Sequence, residues 1–239
     1  MKDQYFGDVN DFQKYALLRR IARPASLKLG VCWMLTESDG RSDGRHLDYL
    51  NHPARFRAHD PELFDWLRVA ICHDHDRRTA RIELSPLLGD AVFQSRMLKD
   101  SRAEREAYFA ECRDLFGDRD LVFFDPDNGI ERSIPVGRRG SSKYVYWNEI
   151  VATFESGASI LLYQHFPHEH RESFTAKLLD ELRRRTESVH VQAWSTAQVV
   201  FLAAFHERHS VFLGTLRPLR ADRPVYGNGS GRGVIGKCV

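Results

Sequence analysis

The stretch "DLVFFDPDNGIE", residues 120–131, decides how the fold of this chain is interpreted. Its apolar run, residues 121–124, predicts a buried strand. The run ends directly in Asp125-Pro126-Asp127-Asn128-Gly129. Turn geometry accounts for Asn128-Gly129, since Asn-Gly is a strong turn signal. It accounts less well for Asp125, because a carboxylate that ends a buried strand is partly removed from water and needs a partner or a function.

Helical and strand patterns alternate on both sides of this strand. Amphipathic spacing predicts helices over residues 11–21, 61–71, 102–116, 142–154 and 170–185. Apolar or alternating runs predict strands over residues 27–36, 80–85, 120–125, 158–166, 189–194 and 199–205, with 209–216 as a further candidate. The first helix is expected to be capped by Asn10 or Asp11, and the second by Asp60.

This alternation is typical of an α/β domain. We therefore expect a Rossmann-like open, mostly parallel sheet with helices on both faces. The last helix is followed by two apolar runs with a short connection at Ser195-Thr196, which predicts a C-terminal antiparallel strand pair. Residues 1–216 are expected to form this single domain, and residues 217–239 a Gly-rich basic tail.

Composition and charge limit the classes of protein to which this chain can belong. The chain has 239 residues and a net charge of +2, a mildly basic balance that does not by itself argue for nucleic acid. Its 4 cysteines include no Cys-x-x-Cys pair, which argues against a thiolate zinc site and favours reduced thiols. No apolar stretch approaches 18 residues and the N-terminus lacks a signal core. We expect a cytoplasmic protein with no membrane contact.

Three predicted strands end in polar residues. They end at residues 36–40, 125–129 and 164–168. Because ligands bind beyond the carboxyl ends of the strands in open α/β sheets, we expect these three ends to meet at one ligand-binding rim. His165 is then a candidate general base or substrate-orienting group. The alternative for His165 is a hydrogen-bonded core histidine.

The order of elements after residue 120 resembles the second half of a class I S-adenosylmethionine-dependent methyltransferase. A strand is followed by Asp125-Pro126, then by a helix, a strand, a helix and a strand pair. In the amino-methylating members the corresponding motif is Asp-Pro-Pro-Tyr or Asn-Pro-Pro-Tyr, and Asp125-Pro126 matches its first two positions. The resemblance implies that Asp125 holds the target amine.

The N-terminal segment "GDVNDFQKYALL", residues 7–18, is similar to the opening of the bacterial 23S ribosomal RNA adenine-N6 methyltransferases. That family begins with Gly-Asn-x-x-Asp-x-x-Lys-His. Gly7, Asp11 and Lys14 align with it without gaps, and Tyr15 takes the place of the histidine. The family's segment precedes the first strand and helps to close over the cofactor.

The resemblance implies a role for each matching position. S-adenosylmethionine would be the cofactor, with an amine of a nucleobase, in RNA or DNA, or a related acceptor as the substrate. Residues near the cofactor would be Asp11, Lys14, Tyr15, Thr36, Asp39 and Asp125. Asp127 and Asn128 would shape the catalytic pocket beside Asp125 and His165. Pro126, Lys143 and Tyr144 would flank the acceptor, and Glu83 is the candidate acidic residue for the ribose hydroxyls.

Two alternatives stay open. The carboxylates of Asp125, Asp127 and Glu131, with Lys143, are also the residue types of a magnesium-dependent nuclease. A methyltransferase-like fold that binds a nucleotide or protein partner without the cofactor is the second alternative, because the loop at residues 37–40 holds a single glycine. The methyltransferase interpretation itself needs no metal.

Overall fold

The structure, a computed structural model, describes residues 1–38 and 46–210. Its helices are α1 (Val9–Ala22), α2 (Pro53–Phe56), α3 (Pro61–Cys72), α4 (Ala80–Glu83), α5 (Arg102–Phe116), α6 (Trp147–Glu155), α7 (Arg171–Thr186) and α8 (Glu207–Ser210). Its strands are β1 (Leu29–Cys32), β2 (Val92–Gln94), β3 (Leu121–Phe124), β4 (Gly129–Ile130), β5 (Tyr144–Val145), β6 (Ser159–His165), β7 (His190–Ser195) and β8 (Val199–Phe205).

Six of the described strands form one sheet in the order β2-β1-β3-β6-β8-β7. Strands β2, β1, β3 and β6 are parallel to one another, whereas β8 runs antiparallel to both β6 and β7. The short strands β4 and β5 pair with each other outside this sheet. The predicted fold class, an open and mostly parallel α/β sheet with a C-terminal antiparallel pair, is confirmed.

Helices cover both faces of the sheet. Side chains alternate along each strand, so that Val31 and Phe123 point to the face covered by α1 and α3. Val122 and Phe124 point to the opposite face, where they join a second core cluster with residues of α5, α6 and α7. Both faces of the central strands are therefore buried, as their continuous apolar sequences predict.

The strand order reverses between β1 and β3. The chain passes from β1 to the edge strand β2 and then crosses back to β3 on the other side of β1. At such a switch point the two neighbouring connections leave in opposite directions, which opens a crevice beyond the carboxyl ends of the strands. Thr36 and Asp125, at two of the predicted polar strand ends, lie on either side of this position.

The predicted strand over residues 80–85 is wrong. Residues 80–83 form the helical turn α4, and the second strand of the sheet is β2, some ten residues later. Alternation over six residues also fits a single helical turn, and here Ile82 is buried while Leu84 is 87% exposed. Glu83 therefore does not end a strand. Its Oε1 instead accepts hydrogen bonds from Trp33 Nε1 and Ser95 Oγ, both at 2.7 Å, beside the ends of β1 and β2.

Two predicted helices begin elsewhere. Helix α1 starts at Val9, because the carboxylate of Asp8 caps it, in place of the predicted Asn10 or Asp11. The predicted helix over residues 142–154 starts only at Trp147, since Tyr144 and Val145 pair with Gly129 and Ile130 as β5. The aromatic and β-branched pair Tyr144-Val145 favours extended structure, which the helical spacing concealed.

The other elements follow the predictions to within a few residues at each end, and Asp60 caps α3 as expected. The first strand is shorter than predicted, because pairing of consecutive residues stops at Cys32.

Of the candidate strand 209–216, residues 209 and 210 belong to α8 and the rest lie outside the described residues. Asp39, the boundary at 216 and the tail 217–239 also lie outside them. Of the helices that the structure describes, none has both the length and the hydropathy to cross a bilayer.

Gly129 occupies a position that a larger residue cannot fill without strain. Its φ is +105°, and an added Cβ would lie 2.3 Å from Oε1 of Gln164, which accepts the backbone hydrogen bond of Ile130 at 2.7 Å. We expect Gly129→Ala to lower the free energy of unfolding by about 1–3 kcal/mol. Gly117→Ala is the control, because Gly117 has a φ of −60°. Urea unfolding of both variants measures the difference, and equal losses would contradict this account of Gly129.

Candidate functional site

A buried ion-pair cluster joins α1 to the end of β3. The ammonium of Lys14 lies 2.6 Å from Asp125 Oδ2 and 2.7 Å from Asp11 Oδ1. Lys14 and Asp11 share one face of α1, three residues apart, while Asp125 follows β3 and its backbone nitrogen donates to Cys32 of β1 at 3.0 Å. Asp125 is therefore held by both strands at the switch point and by the helix above it.

The ammonium group of Lys14 is almost completely buried. Its side chain is 1% exposed, and its Nζ lies 5.3 to 5.6 Å from the ring centroids of Tyr15, Trp33 and Tyr163. Burial opposes its charge, but Asp11 and Asp125 outweigh burial and raise the pKa of Lys14 above its usual value. The pKa of Asp11 is raised, because burial outweighs the attraction of Lys14.

The first residues of the described chain lie across the switch point. The amino group of Met1 donates to the carbonyl oxygens of Asp125 at 3.0 Å and of Met34 at 3.3 Å, and burial lowers its pKa. The nitrogen of Thr36 donates in turn to the carbonyl of Met1 at 2.9 Å. The hydroxyl of Thr36 is buried and has no hydrogen-bond partner among the described residues, so a polar atom is left unsatisfied beside the end of β1.

A cavity of about 300 Å³ opens above this cluster. We call it the inner cavity. Around it lie four carboxylates, Asp8, Asp11, Asp125 and Asp127, and among the described residues Lys14 is the single ammonium side chain that lines it. Its other polar side chains are Tyr5, Asn10, His46, Tyr163, His165 and Gln198. The lining is therefore predominantly acidic.

A second cavity, of about 430 Å³, lies beside the first and is called the outer cavity. Its charged side chains in the described part of the chain are Lys2, Arg132, Lys143 and Asp127. Asn128, Tyr144, Phe166 and His168 also line it. Tyr5, Asp127 and His165 line both cavities and form what we call the shared wall. The two cavities thus meet at one wall and carry opposite charge.

The segment that carries Lys143 and Tyr144 is held in place by hydrogen bonds from α5 and from Asn128. Arg105 of α5 donates to the carbonyls of Ser141 and Tyr144 and forms a buried ion pair with Glu149 of α6. The carbonyl of Lys143 accepts from the nitrogen of Asn128 at 2.8 Å. These bonds place the Lys143 ammonium 3.8 Å from the carboxylate of Asp127, which Lys2 approaches to 3.2 Å.

Asp8 differs from the other carboxylates of the inner cavity. Its Oδ1 accepts the backbone N–H groups of Asn10 and Asp11, both at 2.9 Å, as an N-cap does. Burial and the neighbouring charge of Asp11 raise the pKa of Asp8 to about 7. Asp8 is therefore a carboxyl group that changes charge near neutral pH.

The structure brings most of the predicted site residues together. Asp11, Lys14, Asp125, Pro126, Asp127 and His165 line the inner cavity, and Asp127, Asn128, Lys143, Tyr144 and His165 line the outer one. Tyr15 lines neither cavity, because its ring lies in the core and its hydroxyl donates to Asp11 at 3.1 Å. Thr36 contacts the backbone of Met1 and lines neither cavity.

Several lining residues were not predicted, chiefly Asp8, Asn10, Tyr5 and Gln198. A usable signal existed for Asp8, because an aspartate directly before an amphipathic segment is a strong N-cap candidate. None existed for Gln198. It reaches the rim because β7 runs parallel to β6 and the turn before β8 therefore lies at the carboxyl end of the sheet, where its Oε1 accepts from Asn10 Nδ2 at 2.9 Å.

No protein-family model, no curated protein and no solved structure matches this chain. The fold and the geometry of the two cavities therefore carry the functional argument.

Removal of the Lys14 charge tests the cluster. Lys14→Met keeps the length of the side chain but leaves Asp11 and Asp125 buried without their cation. We expect a loss of about 3–5 kcal/mol in the free energy of unfolding by urea at pH 7. Lys28→Met is the control, because Lys28 is 53% exposed and lies 3.6 Å from an exposed Asp118, and it should change stability by less than about 0.5 kcal/mol. Similar small changes in both variants would contradict the account.

The raised pKa of Asp8 gives stability a defined pH dependence. The folded chain keeps the proton of Asp8 up to about pH 7, whereas the unfolded chain releases it near pH 4. Stability contributed by this group is therefore lost as pH rises from about 4 to 7. Asp8→Asn preserves a capping oxygen, so it should raise the free energy of unfolding by about 2–4 kcal/mol at pH 8 and have little effect at pH 4. Urea unfolding across this range measures it, and a constant loss at every pH would contradict it.

Proposed function

We propose that this chain is an S-adenosylmethionine-dependent methyltransferase that acts on an amine of a nucleobase, in RNA or DNA, or of a related phosphate-bearing acceptor. One observation carries the proposal. Two cavities of opposite charge share a wall at the switch point of an open α/β sheet. This arrangement suits a positively charged donor in the inner cavity and a negatively charged acceptor in the outer one.

The inner cavity fits the cofactor in charge. S-adenosylmethionine carries a sulfonium and an ammonium group, and when bound it supplies an electrophilic methyl group. Asp125 has one oxygen bonded to Lys14, and its Oδ1 receives no hydrogen bond from any described residue. Thr36 and Glu83, predicted to contact the cofactor near the ends of β1 and β2, line neither cavity, so their roles stay predictions. The open oxygen of Asp125 would accept a hydrogen bond from the cationic part of the cofactor.

The outer cavity fits an acceptor that carries phosphate. Lys2, Arg132 and Lys143 bring three positive charges against the single carboxylate of Asp127, within the described residues. Arg138 and Arg139, on the same segment as Arg132 between β4 and β5, are exposed and form no ion pair with a described residue. Phosphate contacts of this kind supply most of the affinity of nucleic-acid-binding proteins.

The aromatic rings of Tyr144 and Phe166 also line the outer cavity. They offer faces on which an unpaired base can stack. The amine of that base would then reach the methyl group at the shared wall.

His165 is the residue of the shared wall that we assign to proton transfer. The end of β6 leaves its side chain partly exposed, yet the surrounding protein still removes enough water to lower the pKa of its imidazole. The ring is therefore neutral at pH 7 and able to accept the proton that a methylated amine releases. Asp125, beside the wall, would orient the amine. Catalysis would come mainly from this positioning.

The magnesium-dependent nuclease gains no support from the geometry. Asp125 is paired with Lys14, and Asp127 lies between Lys2 and Lys143. In the part of the chain that the structure describes, no group of three or more His, Cys, Asp and Glu side chains is placed to hold a metal ion. A hard cation would have to displace ammonium groups that already neutralise these carboxylates.

Calorimetry tests the proposal directly. The full chain, in buffer with a chelator, should bind S-adenosylmethionine and its demethylated product with dissociation constants on the order of 1–100 µM. Absence of binding, together with thermal stabilisation by magnesium or manganese, would overturn the proposal in favour of the nuclease. No response to either would favour a binding module without the cofactor.

His165→Gln separates catalysis from folding. Methyl transfer from labelled cofactor to extracted RNA or DNA should fall by about 10²-fold, while cofactor affinity and unfolding stay near those of the unaltered chain. His190→Gln is the matched control, because His190 begins β7 at the opposite end of the sheet. If His165→Gln transfers the methyl group at an unchanged rate, His165 does not take part in the reaction.

A further inference from the structure

Asp8 is the carboxylate of the inner cavity that forms no ion pair with a described residue. Asp11 and Asp125 share the ammonium of Lys14, and Asp127 has Lys2 and Lys143. Asp8 forms no ion pair with any described residue. Among the described carboxylates of the cavity, Asp8 is therefore the one that is left without an ion pair.

The second oxygen of Asp8 is open. Oδ1 is used by the backbone of α1, whereas Oδ2 receives no hydrogen bond from the described residues. The residue is 3% exposed and lines the cavity. The oxygen therefore faces the cavity and is available to accept a hydrogen bond from a bound ligand.

We propose that Asp8 makes the inner cavity specific for a positively charged ligand, and that the cavity binds this ligand tightly only when Asp8 is ionised. The inference rests on the proposed function, because S-adenosylmethionine is such a ligand. Its ammonium would give Asp8 the cation and the hydrogen-bond donor that the protein does not provide. A ligand of similar size without a positive charge would leave the carboxylate uncompensated, and would be bound weakly.

Asp8 ionises between pH 6 and pH 8, a range in which binding can be measured. With a pKa of about 7, the carboxylate is about one-tenth ionised at pH 6 and nine-tenths ionised at pH 8. If only the ionised form binds the cation, the apparent dissociation constant falls about tenfold between these pH values, in proportion to the competent fraction.

Other titratable groups face Asp8, and the experiment must separate them from it. They are the amino group of Met1 and Tyr5 before α1, Asp11, Lys14 and Tyr15 of α1, His46 and Tyr49 before α2, Asp125 and Asp127 after β3, and Tyr163 and His165 of β6. The tyrosines Tyr15, Tyr49 and Tyr163 have pKa values raised well above 10 by burial, so they stay neutral. Burial lowers the pKa of His165, and the positive charge that it loses as pH rises also favours a cation. Only substitution of Asp8 therefore isolates the contribution of Asp8.

The test is calorimetric titration of the full chain with S-adenosylmethionine and with its demethylated product at pH 6, 7 and 8. The unaltered chain should bind about tenfold more tightly at pH 8 than at pH 6. Asp8→Asn, which keeps the helix cap, should bind at pH 8 at least as weakly as the unaltered chain does at pH 6. Asp8→Glu should restore a rise in affinity with pH.

Asp118→Asn is the matched control, because it removes the same charge from an exposed residue near the start of β1. It should reproduce the pH dependence of the unaltered chain. Urea unfolding of Asp8→Asn at pH 8 checks that weak binding does not reflect a loss of structure.

The outcomes separate this inference from the proposed function. If the unaltered chain binds neither compound at any pH, the proposed function fails and the role of Asp8 fails with it. If it binds, but Asp8→Asn has the same affinity and the same pH dependence, the role of Asp8 is overturned while the proposed function stands.

Discussion

The site depends on the buried contact of Lys14 with Asp11 and Asp125. An ammonium group with 1% exposure is stable only because two carboxylates surround it. The contact fixes α1 against the end of β3, and so it sets the position of Asp8 at the start of that helix. Lys14 alone cannot neutralise two carboxylates, and Asp8 forms no ion pair with a described residue. Asp8 and the open oxygen of Asp125 are therefore the groups left to pair with a cationic ligand.

Opposite charge in two adjoining cavities explains how one rim can serve two ligands. A single acidic pocket would repel a phosphate-bearing acceptor, and a single basic pocket would repel a cationic donor. Asp127 belongs to both cavities and is neutralised from the outer side by Lys2 and Lys143. The shared wall therefore marks the place where the local charge changes sign, which is where a group would pass from one ligand to the other.

The sequence alone was sufficient for the α/β class and for the position of Asp125 and His165 at one rim of the sheet, because continuous apolar runs mark buried parallel strands and the carboxyl ends of parallel strands meet at one edge. It was not sufficient for the ion pair of Lys14 with Asp125, which joins residues 111 positions apart. It also misplaced residues 80–85, since a six-residue alternation does not distinguish a strand from one helical turn.

The most direct test of the account is a crystal structure of the full chain with the demethylated product of S-adenosylmethionine, grown without added metal. The account predicts the compound in the inner cavity, with its ammonium group at Asp8 and its thioether sulfur facing the shared wall of Tyr5, Asp127 and His165. A compound bound away from the switch point, or a metal ion seated between Asp125 and Asp127 in its place, would contradict it.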